Sequence, residues 1–309
     1  MRTVILGAGG VGGYIGARLI EGGGEVSFLV RPGRAAQLRQ NGLVIQSSLG
    51  DFARPVQILE AGDAKSEAPD AVILACKEPA LAGALDAVAP LLGPSTRLLP
   101  VLNGVKHLDT IAARYPATPL LGGIAHGAVD LRPDGSIVHL SPFMTVIAGP
   151  VEKPSDPVSD ALIGELKAAG VDAHATRDVR QDMWSKFVFL STFAGITCLM
   201  RTNIGSILRT DGGRERILGL LDETHAVAEA EGFAPPPALM DDYRSLLTTE
   251  GSPLTSSMLR DIEADRRTEG THILGDMLAR ARRHGLAAPI LAIAAAHVEA
   301  YERRLDALA

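Results

Sequence analysis

Cysteine is scarce in this chain of 309 residues: Cys76 and Cys198 stand far apart, with no CxxC pair. That excludes a disulfide framework and a thiolate zinc site, and it suits a reducing, cytoplasmic setting. Basic charge is not in excess either. The 30 Lys and Arg against 36 Asp and Glu leave a net charge of −6, whereas a nucleic-acid binder carries a clustered basic surface. Long hydrophobic runs are also missing. The uncharged apolar stretch 187–200 is 14 residues between Lys186 and Arg201, short of the roughly 20 that a membrane span needs, so it reads as a buried helix. The uncharged segment 3–17 contains six glycines and follows only Arg2, which makes a poor export signal. The 8 histidines are scattered, with no HExxH and no His–carboxylate spacing on one helix face, which argues against metal catalysis. No repeat of fixed period and no low-complexity tract occurs.

What remains is a chain with 46% hydrophobic and 21% charged residues, able to bury a large core and long enough for two domains. Its first half alternates short apolar runs with helical patterns. Strands are expected at 4–6, 26–30, 43–46, 56–59, 71–75, 97–102, 120–125, 136–140 and 145–148, and helices at 14–21, 79–89, 108–114 and 157–169. Strand–helix alternation with continuous apolar strands implies crossovers and a parallel sheet covered on both faces. Pro133-Asp134-Gly135 is a turn signal within 124–148, where hairpin spacing predicts an antiparallel extension. From 179 onward the apolar spacing is helical almost throughout, broken at 209–213, 232–237, 250–253 and 285–289. The expected fold is therefore α/β: a Rossmann-type doubly wound domain over 1–176, then an all-α domain over 177–309.

Val4-Ile5-Leu6-Gly7-Ala8-Gly9-Gly10-Val11-Gly12 places GxGxxG between a strand and a helix. Gly7 serves the tight turn, Gly9 the close approach of a pyrophosphate, and Gly12 the helix–strand contact, while the helix N-terminus offers N–H groups to the anion. The segment Gly7, Ala8, Gly9, Gly10, Val11 and Gly12 is thus a dinucleotide site. An acid at the end of the second strand would grip the ribose hydroxyls of NAD. Here Leu29-Val30 runs into Arg31 with no acid at all, and a guanidinium can hold a 2′-phosphate, so NADP(H) is the expected cofactor. The alternative is that Arg31 is an ordinary exposed arginine.

Further motifs follow in order: Lys77 in Ala75-Cys76-Lys77, Asn103-Gly104 after a strand, Trp184-Ser185-Lys186, Ser256-Ser257-Met258, and Thr268-Glu269 twelve residues beyond Ser257. With the glycine motif and Arg31, this order resembles the ketopantoate reductase (2-dehydropantoate 2-reductase) family over nearly the whole chain. The resemblance implies reduction of a small 2-oxo acid to a 2-hydroxy acid by NADPH, as in pantothenate biosynthesis. It makes Lys186 the general acid and gives Glu269 a catalytic role. It adds Lys77, Asn103, Ala128 and Glu269 to the cofactor-binding set, and makes Asn103, Lys186, Leu190, Ala194 and Ser257 the substrate-facing positions.

The residues support parts of this independently. Hydride delivery to a carbonyl carbon builds charge on oxygen and needs a proton donor or cation beside it. Lys186 lies inside an aromatic and aliphatic helix, where a solvated lysine is out of pattern; the alternative is a lysine snorkelling to the domain edge. Lys77 closes an apolar strand, and strand C-termini are where doubly wound sheets bind ligands. Taken alone, Asn103-Gly104 is equally a plain turn, Glu269 an exposed helix acid, and Ser256 and Ser257 helix caps.

The chain also departs from the resemblance. Positions four and eight after the lysine, asparagines in the family, are Leu190 and Ala194 here, on one helix face with Lys186. Another family asparagine falls on Ile204, with Asn203 one residue earlier, and Thr268-Glu269 continues unusually as Gly270-Thr271-His272. Three readings result: ketopantoate reductase itself, a related reductase of a less polar carbonyl substrate, and a non-catalytic NADP-binding sensor. Neither nucleic acid nor membrane is an expected partner. The Ala-rich final helix, 291–300, suits burial against the helical bundle or against a second copy in a homodimer, and the sequence leaves both open.

Overall fold

The computed structural model describes residues 1–308 apart from 61, 63–67, 153 and 154. They form two compact units: Met1–Leu102 with His107–Val179, and Asn103–Lys106 with Arg180–Ala309. The first is a Rossmann-type doubly wound sheet with helices, and the second is helical.

In the first unit, β1 (Arg2–Leu6), α1 (Gly10–Glu21), β2 (Glu25–Leu29) and α2 (Pro32–Asn41) lead to β3 (Leu43–Gln46), β4 (Phe52–Arg54) and β5 (Gln57–Leu59). Next come β6 (Ala71–Leu74), α3 (Leu81–Val88), β7 (Arg97–Pro100) and α4 (Lys106–Arg114). The parallel sheet has the order β5-β2-β1-β6-β7. Its strands are apolar on both faces because both are covered. Ile5, Phe28, Ile73 and Leu99 belong to one buried cluster with Ile15 and Leu19 of α1. Their neighbours Val4, Leu29, Val72, Leu74 and Leu98 belong to another with Leu81, Leu85 and Val88 of α3. This is the two-residue strand period, with core on either side.

The remaining strands are β8 (Leu121–His126), β9 (Val129–Leu131), β10 (Ile137–His139), β11 (Thr145–Pro150) and, after α5 (Pro157–Ala168), β12 (Asp172–Ala175). The expected antiparallel extension takes two forms. β9 and β10 pair antiparallel around the predicted turn and join β3 and β4 in a four-stranded sheet. β8 and β11 pair antiparallel in a three-stranded sheet with β12, which an isolated bridge from Leu120 to Leu98 ties to β7.

Several elements differ from the sequence expectation. α1 begins at Gly10 rather than 14, because the glycine turn is itself the helix start. α2, β4 and β12 were not expected. α2 buries only Ala35 and Leu38, β4 only Phe52, and β12 only Ala173, so each offers too little apolar pattern to register. The expected helix 79–89 is split, with short 3₁₀ turns at Glu78–Ala80 and Ala89–Leu91 flanking α3.

The second unit comprises α6 (Val179–Met200), α7 (Ile204–Leu208), α8 (Gly213–Ala230), α9 (Pro237–Leu247), α10 (Ser257–Glu263), α11 (Asp276–Arg283) and α12 (Pro289–Leu308), with a π-helical turn at Thr271–Gly275. α6 contains the apolar run and is long and apolar enough to cross a membrane by composition, but most of that window is buried inside the protein. A Cβ on its Gly195 would sit 3.0 Å from Leu220 of α8 and 3.4 Å from Leu274, so a small residue lets these helices close on one another. α12 packs on α8 and on the π turn.

Candidate functional site

The glycine turn sits where the order of the doubly wound sheet reverses, between β1 and β6, the place where such sheets bind ligands. Gly7 has φ +98° and would carry a Cβ only 2.9 Å from the Ala75 carbonyl. A Cβ on Gly12 would lie 2.1 Å from the Gly7 carbonyl and 2.7 Å from the Ala75 Cβ. Gly10 would meet Val129 at 3.1 Å. Gly9 differs: a Cβ there meets nothing within 4 Å. Three of these glycines are thus explained by packing inside the unit, and Gly9 by open space in front of the turn.

That space lies at the N-terminus of α1, which has no side-chain cap and no acid in its first turn. N–H groups there remain available to an anion. Ala8 is buried and Val11 half-buried. The residues present therefore fit a dinucleotide pyrophosphate. Arg31 is exposed at the end of β2 and precedes α2. Lys77 is exposed after β6. Ala128 has its N–H bonded to Ser141 Oγ at 2.9 Å, and its carbonyl accepts from the Leu140 N–H. One residue of this turn escaped the sequence reading. Arg34 of α2 donates from Nε to the Ala8 carbonyl at 2.9 Å and from Nη1 to the Gly135 carbonyl at 2.8 Å, bracing the glycine turn against the β9–β10 turn.

The second unit holds the other candidates: Asn103, Lys186, Leu190, Ala194, Ser257 and Glu269. Lys186 lies on the second turn of α6, among side chains fixed by their neighbours. Trp184 stacks on Phe233, with ring centroids 5.7 Å apart and planes 6° off parallel, and meets Phe187 edge-on. The Arg280 guanidinium lies over its ring at 5.1 Å and is itself paired with Asp276 and Glu231. Tyr243 donates its hydroxyl to the Ser185 carbonyl at 3.0 Å, and the Gln181 amide donates to the Phe233 carbonyl at 3.2 Å.

Lys186 is half-buried. Desolvation pulls its pKa from 10.5 down to about 8, against the opposing charge of Glu269. Glu269 is buried, unlike the exposed helix acid that sequence alone allowed. Its neighbour Thr268 receives Glu302 of α12, whose Oε1 accepts from the Thr268 N–H at 2.7 Å and hydroxyl at 2.8 Å. Gly270 permits the close approach of α12, since a Cβ there would fall 2.2 Å from Val298. Asn103 donates its side-chain amide to Glu269 Oε2 at 3.1 Å, and Gly104 beside it turns with φ +79°. Asn103 is thus hydrogen-bonded to Glu269, whose charge acts on Lys186.

On the same face of α6, Leu190 is half-buried and Ala194 fully buried. Asn203 Oδ1 caps α7 by accepting the Ser206 N–H at 2.8 Å. Ser256 is the cap of α10 and also accepts from Thr197 Oγ1 at 2.8 Å, whereas Ser257 is exposed.

The chain is similar to known proteins over nearly its whole length. The uncharacterized oxidoreductase YkpB of Bacillus subtilis is 34% identical over 98% of this chain and 99% of its own length. The 2-dehydropantoate 2-reductase of Mesorhizobium japonicum is 28% identical over 87% of this chain and 88% of its own. The crystal structure of 2-dehydropantoate 2-reductase from Methylococcus capsulatus superposes with a TM-score of 0.89 at 25% identity, covering 99% of this chain and 98% of that one. The family model for ketopantoate reductase PanE/ApbA matches residues 3–152, and the model of its C-terminal part matches residues 178–302. With a glycine turn at the sheet's reversal and a lysine–glutamate pair in the helical unit, the chain belongs to the ketopantoate reductase family of oxidoreductases.

Proposed function

We propose that this protein reduces a 2-oxo acid to the 2-hydroxy acid with NADPH, ketopantoate being the first candidate substrate. The observation that carries the reading is Lys186, an ammonium brought to a pKa of about 8 by burial with Glu269 as its charged neighbour. A group titrating near neutrality can both give and regain a proton during turnover. The turn from Gly7 to Gly12 and the N-terminus of α1 would hold the pyrophosphate, and Arg31 the 2′-phosphate. When bound, the nicotinamide supplies the hydride.

The protein's own part is the proton. As the ketone carbon accepts hydride, negative charge grows on its oxygen. Lys186 Nζ gives that oxygen a proton, an O–H bond forming as an N–H bond breaks, and the neutral amine is reprotonated from solvent. Glu269 favours the charged form, so the donor stays loaded at neutral pH despite its desolvation. A cofactor sensor would need only the nucleotide turn, so the lysine–glutamate pair argues for an enzyme.

Leu190 and Ala194 favour a second version of the same chemistry. Apolar side chains stand where the resemblance expects two amides, so a less polar 2-oxo acid would fit that face better than ketopantoate. A cytoplasmic location accompanies either version, and pantothenate biosynthesis accompanies the first. The test is NADPH consumption with a panel of 2-oxo acids. At least one should turn over, and Lys186→Ala should lower kcat by roughly 10²–10⁴-fold. No turnover with any 2-oxo acid, or full turnover by Lys186→Ala, would refute the reading.

A further inference from the structure

Asn103 is held at two points by the short stretch from Glu269 to His272. Its side-chain amide donates to Glu269 Oε2 at 3.1 Å, while its main-chain carbonyl lies 2.8 Å from His272 Nε2. A carbonyl only accepts, so His272 carries its proton on Nε2 and donates. Glu269 stands at the bend just before the helical stretch that begins at Gly270, and His272 follows three residues later. The second of them lies within the π-helical turn Thr271–Gly275, a widened turn common at functional positions.

The fit around the imidazole is close. His272 is buried. A Cβ at residue 104 would lie 3.0 Å from His272 Nε2, 3.2 Å from its Cδ2 and 3.3 Å from Ile273 Cδ1. Glycine at 104 therefore answers both the left-handed φ of +79° and the ring packed beneath the peptide. Taking the ring away would strip the Asn103 carbonyl of its donor and open a space under Gly104. The peptide would then be free to rotate, and the Asn103 amide would leave Glu269.

We propose that His272 is a positioning residue: it fixes the Asn103–Gly104 peptide so that the Asn103 amide orients the Glu269 carboxylate beside the proton donor. The proposal rests on the reading of Lys186 as that donor. It also gives a purpose to Gly270-Thr271-His272, the part of the Thr268-Glu269 motif that the family resemblance leaves unexplained.

The test compares His272→Ala with His272→Gln, whose amide N–H can reach the same carbonyl, in the full-length protein. The first readout is heteronuclear NMR of the Asn103 side-chain amide without substrate. It should shift and lose protection from solvent exchange in the alanine variant and keep both in the glutamine variant. The second is turnover: kcat should fall about tenfold in His272→Ala, as misplacement of a reacting group predicts, and return close to wild type in His272→Gln, with KM for NADPH unchanged in both. Should His272→Ala fail to fold, His272→Met fills the volume without a donor and takes its place. An Asn103 amide unmoved in the variant without a donor overturns the proposal, as does unchanged kcat or a glutamine variant no better than alanine. Absence of turnover in the wild type would instead overturn the reductase reading, and the amide readout would still decide what His272 does.

Discussion

The pH dependence of reduction tests the assigned acid directly. With the Lys186 pKa at about 8, the ammonium is about nine-tenths populated at pH 7 and about one-tenth at pH 9. Only that form can donate, so kcat/KM for reduction should be level below neutrality and fall close to tenfold per pH unit above about 8. Oxidation of the hydroxy acid needs the neutral amine and should rise through the same point. Glu269 raises this pKa, so Glu269→Gln should move the descending limb to lower pH. Lys186→Arg offers the converse, because a guanidinium does not deprotonate in this range; whatever activity survives should show no such limb. The assay is the initial rate of NADPH oxidation, followed by nicotinamide absorbance at constant ionic strength. A wild-type profile level to about pH 10, as for a solvated lysine, would refute the reasoning, and so would a Glu269→Gln limb displaced upward.

Other substitutions separate fold from site. Gly12→Ala places a methyl 2.1 Å from the Gly7 carbonyl and should destabilise the first unit by about 3 kcal/mol in denaturant unfolding. Gly9→Ala meets nothing within 4 Å and should melt like wild type while binding NADPH more weakly in a fluorescence titration. Arg31→Glu should turn the preference from NADPH toward NADH, since a carboxylate there repels a 2′-phosphate and accepts ribose hydroxyls; equal relative affinities before and after the change would remove Arg31 from the cofactor site. Lys186→Met should lower kcat as Lys186→Ala does, yet raise stability at neutral pH. Lowering from 10.5 to about 8 is worth about 3 kcal/mol, and the side chain's residual exposure reduces this to about 2 kcal/mol. The native pKa is the depressed one, so this cost is present below about pH 8 and fades as pH rises toward 10.5. The melting-temperature gain of Lys186→Met should accordingly shrink in alkali.

What sequence could reveal followed the strength of its local pattern. β6 is an unbroken apolar run, β1 ends in Val4-Ile5-Leu6 and β7 contains Leu98-Leu99, and the glycine motif identifies its turn by chemistry that only glycine meets. α2 has two buried side chains in ten residues, and three-residue β4 has one; neither has a period to detect. The candidate site divides in the same way. Lys186 stood out because a charge interrupts a greasy helix. Arg34 and Glu302 did not, and His272 showed only as an unusual continuation of its motif, because each acts through partners remote in the chain, His272 through a carbonyl 169 positions away. Residue type offers no sign of that. Asn203, one residue before the position of a family asparagine, has its side-chain oxygen taken up by the backbone of α7.

The excursion of Asn103–Lys106 into the helical unit means that the boundary between the units is crossed three times along the chain. Cleaving the protein near residue 179 to obtain a helical half would remove the amide that grips Glu269 together with the carbonyl that receives His272. Such a fragment would expose a buried carboxylate and an imidazole stripped of their natural counterparts, and its lysine would titrate as a different group. Swapping whole halves between relatives to exchange substrate preference would meet the same obstacle unless those four residues travelled with the helices.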